Sequence, residues 1–334
     1  MKIIPLALAL LVTASVCGFG QASPSTTPAK PTPTPRPLIP PDPAALALAL
    51  TALPKTPQPP AADWWGWQKI PNGVQTESGI VIGTGGGRPL HAEIAYPKNE
   101  PKTPMPAIIW IHGGAWQGDS EKPNKAAYFA TQGYFTASIE YRLMKEALWP
   151  AQIQDCKLGV RWLRANAAKY NVDPNRIACW GASAGGHLAS CLGTLDDPAL
   201  EGDGGYPGVS SKVQAVVDWF GWVDFRDAQG PEGLFGVPYS KNPALHLSGS
   251  PYVHVKASEP PFLVIHGDLD TTVQYKQSVD FVAAMLTAGA PVEFIPVHGG
   301  VHGFGAPKGF PPPKMRVHEI LSRMTEFLDK YLKN

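Results

Sequence analysis

The chain has 334 residues, a formal net charge of +1, 34 Gly and 37 Pro. Charged residues make up 16%, against about 25% in an average soluble protein. The near-neutral balance argues against a nucleic-acid binder that works by neutralising phosphates. An apolar fraction of 44%, with 12 Phe, 10 Tyr and 10 Trp, excludes a chain disordered throughout.

Residues 1–22 read as a secretory signal. Lys2 supplies the positive start, Ile3 to Val16 an apolar stretch interrupted by Pro5 and Thr13, and small residues lead to a cleavage point after Ala22. A secreted or periplasmic protein is therefore expected. Val16 stands where a lipidation signal wants a small residue, so anchoring at Cys17 is not expected. Beyond this leader no apolar run approaches the ~20 residues needed to span a bilayer. Between Ser23 and Pro60 lie 13 of the 37 prolines, no aromatic residue, and only Lys30, Arg36, Asp42 and Lys55 as charges. Such a segment cannot bury enough apolar surface to offset its ordering entropy, and residues 23–60 read as an extended tether. Within it, Asp42-Pro43 ahead of Ala44–Leu53 has the cap and first-turn proline of a short helix. Residues 61–334 form the third segment, with folded sequence expected from near Trp64.

From Gly79 onward the pattern alternates. Gly79–Gly83 and Leu90–Tyr96 carry strand-type residues, joined by a glycine-rich stretch, Gly83 to Pro89. That stretch reads as a hairpin turn and not a phosphate loop, because Pro89 does not suit a phosphate-cradling helix. Ala107–Ile111 is a continuous apolar run, as in a strand buried on both faces. Strands follow at Phe135–Tyr141, Arg176–Trp180, Val213–Phe220, Pro261–Ile265 and Val292–Val297. Helical spacing marks Ala151–Tyr170, His187–Leu195, Val279–Leu286 and Met315–Leu332. Between Gly202 and Lys256 the periodicity fails, and Gly221–Lys256 reads as an excursion bordering a cleft. Buried strands alternating with helices predict an α/β fold, a mostly parallel central sheet with helices on both faces. In such sheets the site forms beyond the C-terminal strand ends.

Three cysteines remain beyond the leader: Cys156, Cys179 and Cys191. The odd count supports no complete disulfide framework, and each reads as a small buried hydrophobe. No metal-ligand pattern occurs, and neither metal nor cofactor is expected.

Gly181-Ala182-Ser183-Ala184-Gly185 matches G-x-S-x-G between a predicted strand and a predicted helix. That setting is a sharp turn lifting Ser183 to a helix N-terminus, where free amides favour negative charge. His112-Gly113-Gly114-Ala115-Trp116 follows a buried strand. The amides of Gly113 and Gly114, with that of Ala184, would make an oxyanion hole. His112 reads as a structural residue of this loop. Trp116 and Trp222 are candidates for lining a substrate pocket or for plain packing. A serine hydroxyl needs a base, and the base an orienting carboxylate. The acid candidates are Asp268 and Asp270. Asp270, further into the loop, is favoured, while Asp268 is expected to cap its own turn. The base candidates are His298 and His302. His302, in the glycine-rich turn Gly299–Phe304, is favoured. His91, His187, His246, His254, His266 and His318 read as surface or structural histidines.

The stretch from about Gly79 to Leu332 resembles the α/β-hydrolase superfamily of esterases and lipases with an HGG loop. It is most similar to the bacterial carboxylesterases grouped with feruloyl and acetyl-xylan esterases. The carriers are HGGAW at His112–Trp116, EYRL at Glu140–Leu143, DCKLGVRWLRANAAKY at Asp155–Tyr170, DPNRIACWGASAGGHLA at Asp173–Ala189, VVDWFG at Val216–Gly221, HGDLDTTV at His266–Val273 and GGVHGF at Gly299–Phe304. The resemblance implies an α/β-hydrolase catalytic domain over residues 61–334. It makes Ser183 the nucleophile, Asp270 the acid and His302 the base. It also implies hydrolysis of a small-molecule or polysaccharide ester through an acyl-enzyme. Two other readings use the same residues: a peptidase or amidase of this fold, and a non-catalytic binding module on a hydrolase scaffold.

Overall fold

The computed structural model describes residues 70–99, 101–226 and 232–334. The expected signal segment, the proline tether and the Ala44–Leu53 helix lie outside them. The first strands, β1 (Val74–Gly85) and β2 (Arg88–Pro97), form an antiparallel hairpin that turns at Gly86-Gly87. Four more strands follow in alternation with helices: β3 (Met105–Ile111), β4 (Phe135–Ile139), β5 (Val172–Ala182) and β6 (Ala215–Trp219). The last two are β7 (Phe262–Gly267) and β8 (Val292–Val297). They make one eight-stranded sheet in the order β1-β2-β4-β3-β5-β6-β7-β8. β2 runs antiparallel to β1 and β4, and every pairing from β4 to β8 is parallel. The mostly parallel sheet expected from the apolar runs is the one observed. Every residue of β3, β4, β6 and β7 is buried, because both faces are covered.

The helices are α1 (Ala151–Ala165), α2 (Ala184–Thr194), α3 (Glu232–Phe235), α4 (Pro243–Ser248), α5 (Pro251–His254), α6 (Lys276–Ala288) and α7 (Val317–Leu332). The helical pattern predicted over Ala151–Tyr170 is divided at Asn166, where a separate 3₁₀ turn, Ala167–Tyr170, begins. The irregular stretch Gly221–Lys256 contains the three short helices α3, α4 and α5, too brief to show a period in sequence. Two large apolar clusters flank the sheet. One gathers α1, α2 and α6 with Cys156, Cys179 and Cys191, all three buried free thiols. The other packs Ile320, Leu321, Met324, Phe327 and Leu328 of α7 under Trp110, Trp180 and Trp219. Among the described residues no helix is long and apolar enough to cross a membrane.

Two polar groups in this core carry more than their share. Arg142, just after β4, grips Asp155 of α1 through Nε at 2.8 Å and Nη2 at 2.9 Å, and its backbone N–H donates to the same carboxylate. Burial raises the Asp155 carboxyl and the guanidinium opposes that rise. Removing one partner leaves a partly buried charge unmatched. Asp155→Asn is expected to cost about 3 kcal/mol, read as a lower denaturant midpoint with unchanged slope. His187 of α2 is fully enclosed, with Nε2 donating to the Gly249 carbonyl at 2.8 Å and the rings of Trp116, Trp149 and Phe225 around it. Burial pushes it from the usual 6.5 down to about 4. Between these values the unfolded chain binds a proton that the folded one refuses, so this stability is present above about pH 6.5 and is lost toward pH 4. The loss is about 3 kcal/mol. His187→Gln should unfold with a shallower pH dependence over that window. Equal slopes in the two proteins would contradict this account.

Candidate active site

β5 ends at Ala182 and α2 begins at Ala184, leaving Ser183 alone to reverse the chain. Ser183 has φ 56° and ψ −119°, a conformation that L-residues rarely adopt and that costs about 1–3 kcal/mol. Close packing enforces it. A Cβ on Gly181 would lie 2.1 Å from the Gly185 carbonyl oxygen, and one on Gly185 would lie 2.0 Å from the Ile111 carbonyl oxygen. Only glycine permits strand, turn and helix to approach so closely. Ser183 N–H donates to the Trp219 carbonyl at 2.9 Å, which ties the turn to the end of β6. Asp218, fully buried, accepts from Ser190 Oγ of α2 and from Gly221 N–H, locking the helix to the same strand end. As the first residue of α2, Ala184 has an N–H with no acceptor inside the helix.

The loop after β3 lies against this turn. A Cβ on Gly113 would sit 2.8 Å from the Ala182 carbonyl oxygen and 3.4 Å from Ser183 Cβ. Tyr141 Oη donates toward the carbonyls of His112 and Gly113, and His112 Nδ1 lies 2.9 Å from the Gly113 carbonyl. The two rings stack at 4.2 Å. Burial lowers His112 and raises Tyr141, so both stay neutral and hold the loop by its carbonyls. The carbonyls of Gly113 and Gly114 are thus engaged, the latter by Gln117 and Gly118 N–H groups.

Asp270 and His302 meet beyond the ends of β7 and β8. His302 Nδ1 is 2.7 Å from Asp270 Oδ2, which leaves Nε2 as the nitrogen available for proton transfer. Asp270 Oδ1 accepts from the N–H groups of Thr272 and Val273 at 2.8 and 3.0 Å. Burial alone would raise this carboxyl. The hydrogen bonds from His266 and His302, the charge of His302 and the Val273 amide outweigh it and hold Asp270 well below the usual carboxylate range. The imidazole of His302 packs on Phe220 with ring centroids 4.5 Å apart. Phe220 follows the very carbonyl that receives Ser183 N–H, so the seryl and histidyl turns share one wall.

The runner-up residues pair with each other. His298 Nδ1 is 2.8 Å from Asp268 Oδ2, and the His298 side chain is 59% exposed against 25% for His302. Asp268 does not cap its own turn, as its position had indicated. It reaches across to Gly299 N–H, and Asp270 supplies the local cap instead. Trp116 is 3% exposed and packs beneath the loop against His187 and Phe225. Trp222 is half-buried, stacks over Phe225 and donates Nε1–H to the Asp224 carbonyl. Sequence alone gives no role to Tyr141 or Phe220 and reads His266 only as a surface or structural histidine, although the EYRL, VVDWFG and HGDLD stretches contain them. Of the eight non-glycine residues with positive φ among those described, Ala115, Trp116, Ser183, Phe220 and Phe304 cluster at these strand ends. Such strain persists only where the surroundings over-determine it, as at functional sites.

The family model BD-FAE matches residues 92–285, more than half of the chain. Esterase LipC of Mycobacterium tuberculosis is 34% identical over 223 residues, covering 62% of this chain and 55% of its own length. Esterase LipQ of the same organism is 32% identical over 242 residues, covering 68% and 57%. The chain thus spans about half the length of the curated relatives it matches. Solved structures align more completely. A truncated carbohydrate esterase from gut microbiota superimposes with TM-score 0.67 at 34% identity, covering 78% of this chain and 97% of that one. Thermogutta terrifontis esterase Est2 does so with TM-score 0.64 at 28% identity, covering 78% and 92%. Sheet order, the turn at Ser183 and these likenesses converge: the chain belongs to the BD-FAE family and has the α/β-hydrolase fold.

Proposed function

We propose that this protein is an exported serine carboxylesterase that cleaves acyl esters, with acetyl or feruloyl groups on plant polysaccharide as its substrates. The observation that carries the reading is the Asp270–His302 pair at 2.7 Å, with His302 packed on Phe220, the residue after the carbonyl that receives the N–H of the strained Ser183. The ester function is further supported by the esterases among its relatives, and the sugar-ester preference by its likeness to a carbohydrate esterase. Trp222, half-buried and stacked on the enclosed Phe225, leaves aromatic surface that suits a planar acyl group.

In this mechanism His302 Nε2 takes the Ser183 proton as Oγ adds to the ester carbonyl carbon. The carbonyl π pair moves onto oxygen, and the amides of Gly113, Gly114 and Ala184 receive that oxyanion. Collapse breaks the carbon–oxygen bond to the alcohol, which leaves with the proton from His302. Water, deprotonated by His302, then attacks the acyl-enzyme. The acid leaves and the proton returns to Ser183. Asp270, kept ionised by its four contacts, steadies the imidazolium at both steps.

Ser183→Ala is expected to lower kcat on p-nitrophenyl acetate by more than about a thousandfold while the protein stays folded. Retained activity, or a dipeptidyl anilide cleaved faster than the ester, would overturn the assignment. A panel of acetylated xylan, feruloylated xylan and short-chain lipid esters tests the substrate class, with the two xylans expected to be preferred. For export, the protein recovered outside the cytoplasm should begin at Ser23.

A further inference from the structure

His266, in β7, shares the carboxylate oxygen that His302 contacts. Its Nε2 lies 3.1 Å from Asp270 Oδ2 and 3.0 Å from the Val273 carbonyl oxygen. Both partners are acceptors, so Nε2 carries the proton. Its Nδ1 lies 2.7 Å from Ser278 Oγ of α6, whose hydroxyl donates to it. A neutral imidazole with one fixed tautomer satisfies all these contacts. The His266 and Asp270 side chains are both fully enclosed, so no water competes for these bonds.

Asp218, near the end of β6, is itself bonded to Ser190 Oγ and Gly221 N–H. Tyr275, just ahead of α6, packs edge-on at 5.6 Å, and its hydroxyl is pushed up to about 12 and so stays neutral. Phe220 closes the side toward His302. Asp270 Oδ2 therefore divides its charge between two N–H donors, one on the proposed base and one on a residue that never meets substrate.

We propose that His266 is a positioning residue: by donating Nε2–H to the oxygen that receives His302 Nδ1–H, it fixes that oxygen and withholds part of its charge from the base. The proposal rests on His302 acting as the base for Ser183. Without the second donor, Oδ2 would interact more strongly with His302 and favour its protonated form. The carboxylate would also be freer to turn, and small misplacements of this kind cost rate.

The test compares His266→Phe, which fills the space without a donor, with His266→Gln, which restores an N–H, and with Ser278→Ala, which frees Nδ1. In His266→Phe, kcat on p-nitrophenyl acetate should fall about ten- to a hundredfold with KM unchanged. The acid limb of its kcat/KM profile should move up by about one pH unit. His266→Gln should return the limb to the wild-type position, and Ser278→Ala should move it the same way by less. An unmoved limb in His266→Phe, even with lower kcat, would overturn the proposal, as would a His266→Gln limb that stays displaced. If His266→Phe does not fold, an unmoved limb in Ser278→Ala does the same. Labelling of wild-type Ser183 by a fluorophosphonate separates the two levels: its absence would overturn the hydrolase reading itself.

Discussion

Everything at this site follows from one close approach. The backbone of Gly185 stands so near the Ile111 carbonyl that even a methyl group would not fit between them. That approach presses the start of α2 onto the end of β3. It compels the reversal at Ser183 into a strained conformation and brings the His112–Trp116 loop against the same turn. A helix that began one residue later, or a side chain at either flanking glycine, would separate the seryl turn from the loop whose amides are proposed to receive the oxyanion. The strain at Ser183 is held by bonds on the far side, from its N–H to Trp219 and from Ser190 to the buried Asp218.

The second constraint is electrostatic. The Asp270 carboxylate is shut away from water, and burial works against its charge. Two backbone amides and two imidazoles more than compensate, which keeps it ionised where a carboxyl would ordinarily take up a proton. The same four contacts leave it almost no freedom to turn. Charge and position are thereby fixed together, and that combination is what an imidazole base requires. The His112–Trp116 loop is treated the opposite way. Its supports, His112 and Tyr141, are neutral and bind carbonyls, so they bring no buried charge to the amides proposed to receive the oxyanion.

Much of this was legible in the sequence because it is local. Long apolar runs such as Ala107–Ile111 can only be strands covered on both faces, and their alternation with amphipathic segments such as Met315–Leu332 prescribes a parallel sheet. G-x-S-x-G between strand and helix is a statement about one turn, and its glycines are demanded by contacts within a few residues. The HGG loop and the glycine-rich turn at His302 are similarly short. The irregular stretch around Gly221–Lys256 resisted because its helices span only four to six residues and are held by tertiary contacts, Ser250 Oγ to Phe225 N–H among them.

The sequence by itself determined the sheet, the order of its strands along the chain, and a short list of serine, acid and histidine candidates at strand ends. Tertiary structure decided which of them meet. Asp268 and Asp270 differ by two positions, as His298 and His302 differ by four, and nothing local says which aspartate reaches which ring. Packing does: the parallel β7 and β8 end side by side, and beyond them Asp268 takes the exposed His298 and Asp270 the enclosed His302. It also placed His266 on the oxygen that His302 uses, a contact that depends on Ser278 arriving from a separate helix. A hydrogen bond between distant segments is a property of the folded chain, since its partners become neighbours only when the apolar faces around them have been buried.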